Sequence, residues 1–172
     1  MPKRIAFLTF GIMKSPMGSP EVQGFFDRIG DVYAAADGAA GFYERSIRNV
    51  ETWEHSWGPV IAPKFTPRGI DLNQIAMTLS LWRDLESVAA FAYRGAHGDA
   101  LSRRADWFRK PEYPPYVAWW VDESHRPNWS EAVVRIEKLH ERGPTPDAFS
   151  FRKPFDAAGA AARMKMEHAA SR

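Results

Sequence analysis

The order of strand-like and helix-like segments is the feature that most restricts the fold of this chain. An apolar run from Ile75 to Trp82 has the length and composition of a strand, and Asp84 directly after it suits the N-cap of a helix. The same order occurs upstream, where the strand-like run from Ile5 to Phe10 precedes a helix start at Ser19-Pro20. Each helix leads into a further strand, at 41–47 and at Tyr116 to Val121.

Strand, helix, strand, strand, helix, strand is the split β-α-β order of ferredoxin-like domains. It predicts an α+β fold in which a four-stranded antiparallel sheet carries its helices on one face. The strands carry bulky apolar residues at both odd and even positions, as at Phe7 and Leu8. This pattern is typical of a sheet that is covered on both faces. We therefore expect a second copy of the chain to bury the other face, giving a homodimer.

Three further segments complete the prediction. Ser102 to Phe108 favours a second helical piece, and Asn128 with Glu131 three residues later resembles the capping box of another helix. Residues 48–69 show no period and are rich in Pro, Gly and Trp, so they form either a hairpin or a loop that closes over a pocket.

The C-terminal part of the chain changes in character. Ala148 to Phe155 is predicted to be extended, whereas Asp156 to Arg172 is Ala-rich with few large apolar residues. We divide the chain into one domain at 1–155 and a C-terminal tail of marginal helicity at 156–172. A chain of 172 residues suits a single domain with a sizeable core.

The composition excludes several kinds of site. Cysteine is absent, which removes disulfides and thiolate chemistry and fits the reducing cytoplasm. Lys+Arg 23 against Asp+Glu 21 leave a net charge of +2, and only four basic residues cluster, so no nucleic-acid partner is expected; the four are Arg103, Arg104, Arg109 and Lys110. No stretch reaches the length of a membrane-spanning helix, so no membrane partner is expected either.

Known catalytic and metal motifs are missing from the sequence. His55, His140 and His168 share no metal-ligand spacing, so we predict no metal site. Glycine-rich phosphate loops, GxSxG, HExxH and dinucleotide fingerprints are also absent, which leaves hydrolase, metalloprotease and Rossmann dehydrogenase functions without support.

Several separate motifs nevertheless resemble one family. In chain order they are GSPEVQGFFDRIGDVYAAADGAAGFYERS, LSLWRDLESVAAFAYRGAH, RRADWF, WWV, HRP and GPTPDAFSFRKPF, all within residues 5–155. Together they resemble the bacterial domain of unknown function 3291 family, which is part of the dimeric α/β-barrel superfamily.

This resemblance implies a ferredoxin-like protomer that pairs sheet to sheet into a barrel, with a pocket between the sheet and the helices of one protomer. The superfamily includes cofactor-independent antibiotic-biosynthesis monooxygenases, haem-binding monooxygenases and dismutases, isomerases, lyases and stress-induced proteins. Because one fold serves so many reactions, the reaction has to be argued from the site itself.

His97 is the leading catalytic candidate. It lies beside glycines that break the helix and four residues after Tyr93, so on a continuous helix both side chains would project from one face. In a pocket, His97 could act as a general base or ligate haem iron, and Tyr93 could orient an oxyanion. The alternative for His97 is to cap the broken helix or bond a backbone carbonyl.

Aromatic and basic residues nearby are candidates for binding a substrate. A pocket could be lined by Trp107, Trp119 and Trp120. Because side chains alternate along a strand, only one of Trp119 and Trp120 can face that pocket. Packing in the core is the alternative for each of the three. Arg104 could present a cation to a carboxylate or enolate, or lie on a solvated helix face. His125, in the loop after the Trp-rich strand, either joins the rim of the pocket or is a surface histidine.

These residues favour a cofactor-independent monooxygenase that acts on an aromatic or polyketide-like compound, with His97 as the base. The second hypothesis is a haem protein with His97 as axial ligand. An isomerase or cyclase that uses the same base, and a dimer that binds a small apolar or aromatic ligand without catalysis, are the remaining alternatives.

Overall fold

The computed structural model describes residues 2–164. Its strands and helices, in chain order, are β1 (Lys3–Ile12), α1 (Pro20–Asp37), β2 (Phe42–Arg45), β3 (Ile75–Trp82), α2 (Leu85–Tyr93), α3 (Gly95–Ser102), α4 (Arg104–Trp107), β4 (Tyr116–Asp122) and α5 (Trp129–Arg142). The strands form one antiparallel sheet in the order β2-β3-β1-β4. This is the predicted α+β, ferredoxin-like topology.

The register of the central strand decides which side chains share a face. Leu8 lies opposite Leu79 on β3 and Val117 on β4, whereas Phe7 lies opposite Ser80 and Ala118. Because side chains alternate along a strand, the residues level with Leu8 point to one side of the sheet and those level with Phe7 to the other. We call these the Leu8 face and the Phe7 face.

The Leu8 face is covered by the chain itself. Helix α5 packs Trp129, Ala132 and Ile136 into the same core cluster as Leu8. The segment 57–65 completes the cover and is held to α5 by the buried Glu137, whose carboxylate accepts a hydrogen bond from the backbone N–H of Lys64 at 2.7 Å. Helices therefore lie on both faces, and the prediction of helices on one face was wrong because α5 folds back across the sheet.

This cover also changes the argument for a homodimer. We expected a second copy on the bare sheet face, but α5 and residues 57–65 already occupy it. A homodimer of this chain, which remains a prediction, would have to bury another surface than the Leu8 face.

The Phe7 face is covered differently. Leu85 and Val88 of α2 pack directly against Trp82 and Ile5. Helix α1 instead makes most of its contacts with α3, α4 and β2. Its apolar residues recur at spacings of three and four and form an amphipathic stripe that includes Phe25, Phe26, Ile29, Val32 and Tyr33. These side chains are only half-buried, and a gap remains between α1 and the sheet.

The extended C-terminal segment lies beside β4. Two hydrogen bonds of 2.9 Å join the backbones of Ala118 and Phe149, and Phe149 is fully buried. Residues 156–164 form a turn and an isolated bridge from Ala161 to Phe155 rather than a helix. The rest of the predicted tail, 165–172, lies outside the described residues. Among residues 2–164, no helix is long and apolar enough to cross a membrane.

Residues 48–69 combine both arrangements that the sequence left open. A bridge from Arg48 to His55 closes a short hairpin, whose residues 50 and 52–55 border the gap beneath α1. The following segment packs Trp57 into the core under α5. One half of the irregular stretch is thus cavity wall and the other half is core.

The N-caps of the helices test the helix starts that the sequence predicts. Asn128 Oδ1 accepts the N–H of Glu131 at 2.8 Å, whereas the Ser19 hydroxyl makes no capping bond although Ser19 occupies the N-cap of α1. We expect Asn128→Ala to lower the free energy of unfolding by about 1 kcal/mol, because it leaves a helix N–H without its partner. Ser19→Ala, as the matched control, should cost much less in the same urea titration. Equal losses for both variants would contradict this assignment.

Candidate active site

A cavity of about 2650 Å³, open to solvent, lies mainly between the Phe7 face of the sheet and helices α1 and α3, and its lining extends to Phe10, Val60 and Leu139 on the Leu8 side. We call it the sheet–helix cavity. Apolar side chains of α1 form its outer wall, namely Phe25, Phe26, Ile29, Val32 and Tyr33. These are the residues of the amphipathic stripe, so the stripe that would ordinarily seal a helix onto a sheet here faces a space large enough for a polycyclic ligand.

Two aromatic residues narrow one end of the cavity. Phe108 lies so near Gly11 of β1 that a Cβ there would be 2.9 Å from the ring, and Trp107 Nε1 would lie 3.0 Å from a Cβ at Gly24 of α1. Trp107 is itself 4% exposed and packs between α1 and the end of β1. These two rings narrow the space between α1 and the sheet at that end of the cavity.

The floor of the cavity carries hydroxyl groups among aromatic rings. Thr9 and Thr78 are direct partners in the β1–β3 register, and their side-chain oxygens are 2.6 Å apart. Ser80 Oγ accepts the indole N–H of Trp82 at 2.9 Å. Phe7 and Phe151 lie alongside, with ring centroids 5.7 Å apart. A ligand resting on this floor would meet apolar faces and a few polar atoms.

The chain breaks between α2 and α3 to place His97. Helix α2 ends at Tyr93, Arg94 is extended, and Gly95 takes a φ of 55°, which favours glycine. Gly98 lies against the end of α2, where a Cβ would be 2.8 Å from the carbonyl oxygen of Tyr93. The two glycines thus permit the sharp turn that returns His97 toward the helix it has just left.

His97 hydrogen-bonds the C-terminal end of α2. Its Nδ1 lies 2.8 Å from the carbonyl oxygen of Ala92, one of the last α2 carbonyls, which have no partner within the helix. A carbonyl can only accept, so in the neutral ring Nδ1 carries the hydrogen and Nε2 keeps the lone pair. No residue between 2 and 164 hydrogen-bonds to Nε2, and His97 lines the cavity.

Burial lowers the pKa of His97 below its ordinary value, more than the bond to Ala92 raises it. The charged imidazolium is disfavoured because the cavity removes water from it. The ring is therefore neutral at physiological pH, which is the form that can accept a proton or ligate a metal.

Tyr93 and Tyr116 are adjacent on the cavity wall. Tyr93 is 51% exposed and lies at the last position of α2; the chain breaks at the predicted glycines, so Tyr93 and His97 lie on different helices. Both residues line the cavity all the same. Burial, followed by the influence of Tyr93, raises the pKa of Tyr116 to about 12, so Tyr116 keeps its proton and can donate a hydrogen bond.

The other predicted site residues divide between the cavity and the core. Arg104 is exposed and lines the cavity, with Nη1 donating to the carbonyl of Leu101 at 3.1 Å. Trp119 is fully buried on the Leu8 face, where its Nε1 donates to Glu131. Trp120 points to the opposite face, as alternation predicts, but its Nε1 donates to the carbonyl of Phe155 and it is not part of the cavity lining.

His125 also lies away from the cavity. It is exposed in the loop after β4 and its Nε2 is 2.7 Å from Glu131 Oε2. The structure thus brings His97, Tyr93 and Arg104 to one cavity and places Trp107, Trp119, Trp120 and His125 outside its lining.

The sequence also matches a known family. The match is to the domain of unknown function DUF3291 and extends over residues 4–165, nearly the whole chain. The chain belongs to the DUF3291 family. The match passes the boundary at residue 155 that we predicted for the domain. A comparison with curated proteins found no match in sequence.

Solved structures similar to this DUF3291 protein are distant from it. They include a conserved protein from Methanosarcina mazei Go1, at 11% identity and a TM-score of 0.44 over 72% of this chain and 95% of that chain. SnoaB, a cofactor-independent oxygenase from Streptomyces nogalater, is 7% identical, with a TM-score of 0.42 over 72% and 96%. A Nitrosomonas europaea protein provisionally described as an antibiotic biosynthesis monooxygenase is 8% identical, with a TM-score of 0.44 over 72% and 92%.

The sequence analysis did not identify several of the residues that line the cavity of this DUF3291 protein. Thr9 and Thr78 interrupt apolar strands at paired positions, which was a usable signal, but their pairing depends on the strand register. Tyr116 and Phe151 lie 35 positions apart, and only the tertiary structure shows that their rings are 4.7 Å apart. Among residues 2–164, no cluster of three or more His, Cys, Asp or Glu could hold a metal ion.

Proposed function

We propose that this DUF3291 protein is a cofactor-independent monooxygenase that oxidises an aromatic or polyketide-like substrate in the sheet–helix cavity. One observation carries the proposal: a neutral histidine, held through Nδ1 by Ala92, lines an aromatic-walled cavity with Nε2 unbonded by any described residue. This is the arrangement that a general base requires, because the ring is oriented by one nitrogen and reacts through the other.

The reaction begins at an acidic methylene beside an aromatic ketone. His97 Nε2 removes one proton from the CH₂ group, and the resulting carbanion transfers one electron to O₂. The radical pair recombines to form a C–O bond, and the resulting peroxide anion takes the proton back from His97 to become a hydroperoxide. His97 then removes the second hydrogen of the same carbon as a proton while the O–O bond breaks and hydroxide departs. The proton passes from His97 to this hydroxide, so that CH₂ and O₂ become C=O and H₂O, and the substrate supplies all the electrons.

The cavity supports the chemistry in two ways. A substrate bound against the apolar walls displaces water from them, which favours electron transfer from a delocalised carbanion and protects the intermediates from proton transfer with solvent. Tyr116 stays protonated and hydrogen-bonds with Tyr93, so this pair keeps one hydroxyl donor for the enolate oxygen that forms when the proton leaves.

Oxygen uptake tests this function directly. The purified protein is mixed with anthrone, a tricyclic ketone with an acidic methylene, in an oxygen electrode while the quinone product is recorded by absorbance. We expect one O₂ consumed for each quinone formed, at a rate above that of a heat-denatured control. Conversion of the substrate to a product other than the quinone, without oxygen uptake, would instead support an isomerase or cyclase. Tight binding without product from any aromatic ketone in the screen would support a protein that only sequesters its ligand.

Haem is the second candidate, and one observation favours it. Metal-ligating histidines commonly donate their other ring N–H to a carbonyl, as His97 Nδ1 does to Ala92. The residues present therefore fit an axial ligand, with His97 Nε2 as the ligating atom, and a bound haem would supply oxygen or peroxide chemistry. The visible spectrum with and without added haem separates the two candidates. A Soret band present in the wild type and lost in His97→Ala would replace the cofactor-free proposal.

A further inference from the structure

The charges around the sheet–helix cavity are strongly unequal. The whole chain has nearly balanced charge, with Lys+Arg 23 and Asp+Glu 21. The cavity lining nevertheless includes eight lysine and arginine residues and a single carboxylate, Glu54. A cleft lined by one sign of charge concentrates ligands of the opposite sign. The excess of positive charge in the lining therefore bears on the charge of the ligand that the cavity binds.

Three of these cations already have partners. Arg28 Nε is 3.7 Å from Asp99, and Arg45 Nε is 3.2 Å from Asp37. Arg48 stacks over the ring of Trp53 at 4.3 Å. The other five are exposed and form no ion pair with a carboxylate among residues 2–164; they are Lys14, Arg104, Arg109, Lys110 and Arg152.

Four of the five unpaired cations lie at one end of the cavity. Two backbone hydrogen bonds bring their segments together, from Lys14 N to the carbonyl of Trp107 at 2.8 Å and from Arg109 N to the carbonyl of Ile12 at 2.9 Å. Phe108 lies between them, lines the cavity and packs on Phe25 at 4.9 Å. We call Lys14, Arg104, Arg109 and Lys110 the mouth cations.

We propose that the ligand of this cavity is an anionic aromatic compound, whose rings lie between α1 and the sheet and whose carboxylate is held by the mouth cations. The aromatic walls and the cationic end match the two halves of such a molecule. This inference rests on the proposed function, since it names the substrate class of the same cavity. It goes beyond that function because a cofactor-free oxygenation does not itself require a charged substrate.

A general solvated surface explains the mouth cations less well. Solvated surfaces mix both signs of charge, as the Arg103–Asp106 pair beside these residues does, but neither Asp106 nor Glu112 is part of the cavity lining. A nucleic-acid surface would extend the basic residues along a stripe that tracks phosphates, whereas the mouth cations lie on two segments that meet beside Phe108. A short oligonucleotide serves below as the test of that alternative.

Two matched fluorescent probes test the proposal. Anthracene carboxylate and its uncharged methyl ester share the ring system and differ in charge, and their binding is followed by fluorescence titration at low and high salt. We expect the carboxylate to bind about tenfold more tightly than the ester at low salt, with the preference decreasing as salt screens the charges. The triple variant Arg104→Gln, Arg109→Gln, Lys110→Gln should lose this preference and bind the ester unchanged.

Arg142→Gln is the matched control. Arg142 is an exposed cation at the end of α5 and is not part of the cavity lining, so this variant should keep the full preference for the carboxylate. Equal affinity for the two probes in the wild type, or an unchanged preference in the triple variant, would overturn the inference while leaving the proposed function intact. Binding of neither probe would overturn both. Displacement of the carboxylate by a short oligonucleotide, but not by benzoate, would assign the mouth cations to a polyanion instead.

Discussion

Replacing His97 with Ala should lower kcat/KM for the oxygenation by about a hundredfold to ten-thousandfold, the usual contribution of a positioned general base. The cause is the loss of Nε2, which has no hydrogen-bond partner among residues 2–164 while Nδ1 is held by Ala92. Initial rates in the oxygen electrode measure the effect. The variant should also unfold more easily by about 1 kcal/mol, because the Ala92 carbonyl loses its donor.

His97→Asn separates the two roles of this side chain. The Asn amide N–H can reach the position of Nδ1 and keep the bond to Ala92, but it supplies no base at the position of Nε2. We therefore expect His97→Asn to fold as stably as the wild type and to be as inactive as His97→Ala. If His97→Asn kept wild-type turnover, His97 would be only a cap for α2.

The pH profile of the wild type provides a further readout of the same residue. Burial lowers the pKa of His97. His97 is therefore entirely neutral, and able to act as a base, above pH 6.5, which is about the ordinary pKa of histidine. It becomes protonated only as the pH falls below that value. We expect kcat/KM to be level through neutral pH and to decrease on the acid side of 6.5. An acid limb centred above 6.5 would contradict the assignment of His97 as the base.

Replacing Ile136 with Ala should lower the free energy of unfolding by about 2–5 kcal/mol, because Ile136 is fully buried where α5 crosses the Leu8 face. The matched control is Val134→Ala on the same helix, where the side chain is 57% exposed and the expected change is within about 0.5 kcal/mol. Urea titrations of the three proteins measure both differences. Similar losses for both variants would show that α5 does not cover the sheet as described.

The same titrations, repeated at several protein concentrations, test the homodimer prediction. A homodimer through any surface would raise the urea midpoint as the protein concentration increases, whereas the midpoint of a monomer does not depend on concentration. Light scattering at micromolar concentration measures the mass independently.

Much of the local structure follows from the sequence because the signals are local. The strand from Ile75 to Trp82 has the predicted bounds, since an apolar run ends where Asp84 caps the next helix. Asn128 caps α5 as predicted, because the capping bond joins residues only three positions apart. Neighbouring residues decide such features, so their pattern is visible along the chain. The order of these elements then restricts the topology to a ferredoxin-like sheet.

The tertiary structure decided what each face of the sheet meets. Apolar residues at both odd and even strand positions showed that both sheet faces are apolar. This pattern does not distinguish a second copy of the chain from the chain's own α5, because either would bury the same surface. Likewise, the apolar stripe of α1 predicts that this helix packs on a sheet. The distance between α1 and the sheet, however, depends on Trp107 and Phe108, which lie far along the chain. The cavity, its Thr9–Thr78 floor and its cationic end exist because long-range packing keeps helix and sheet apart, which no local pattern encodes.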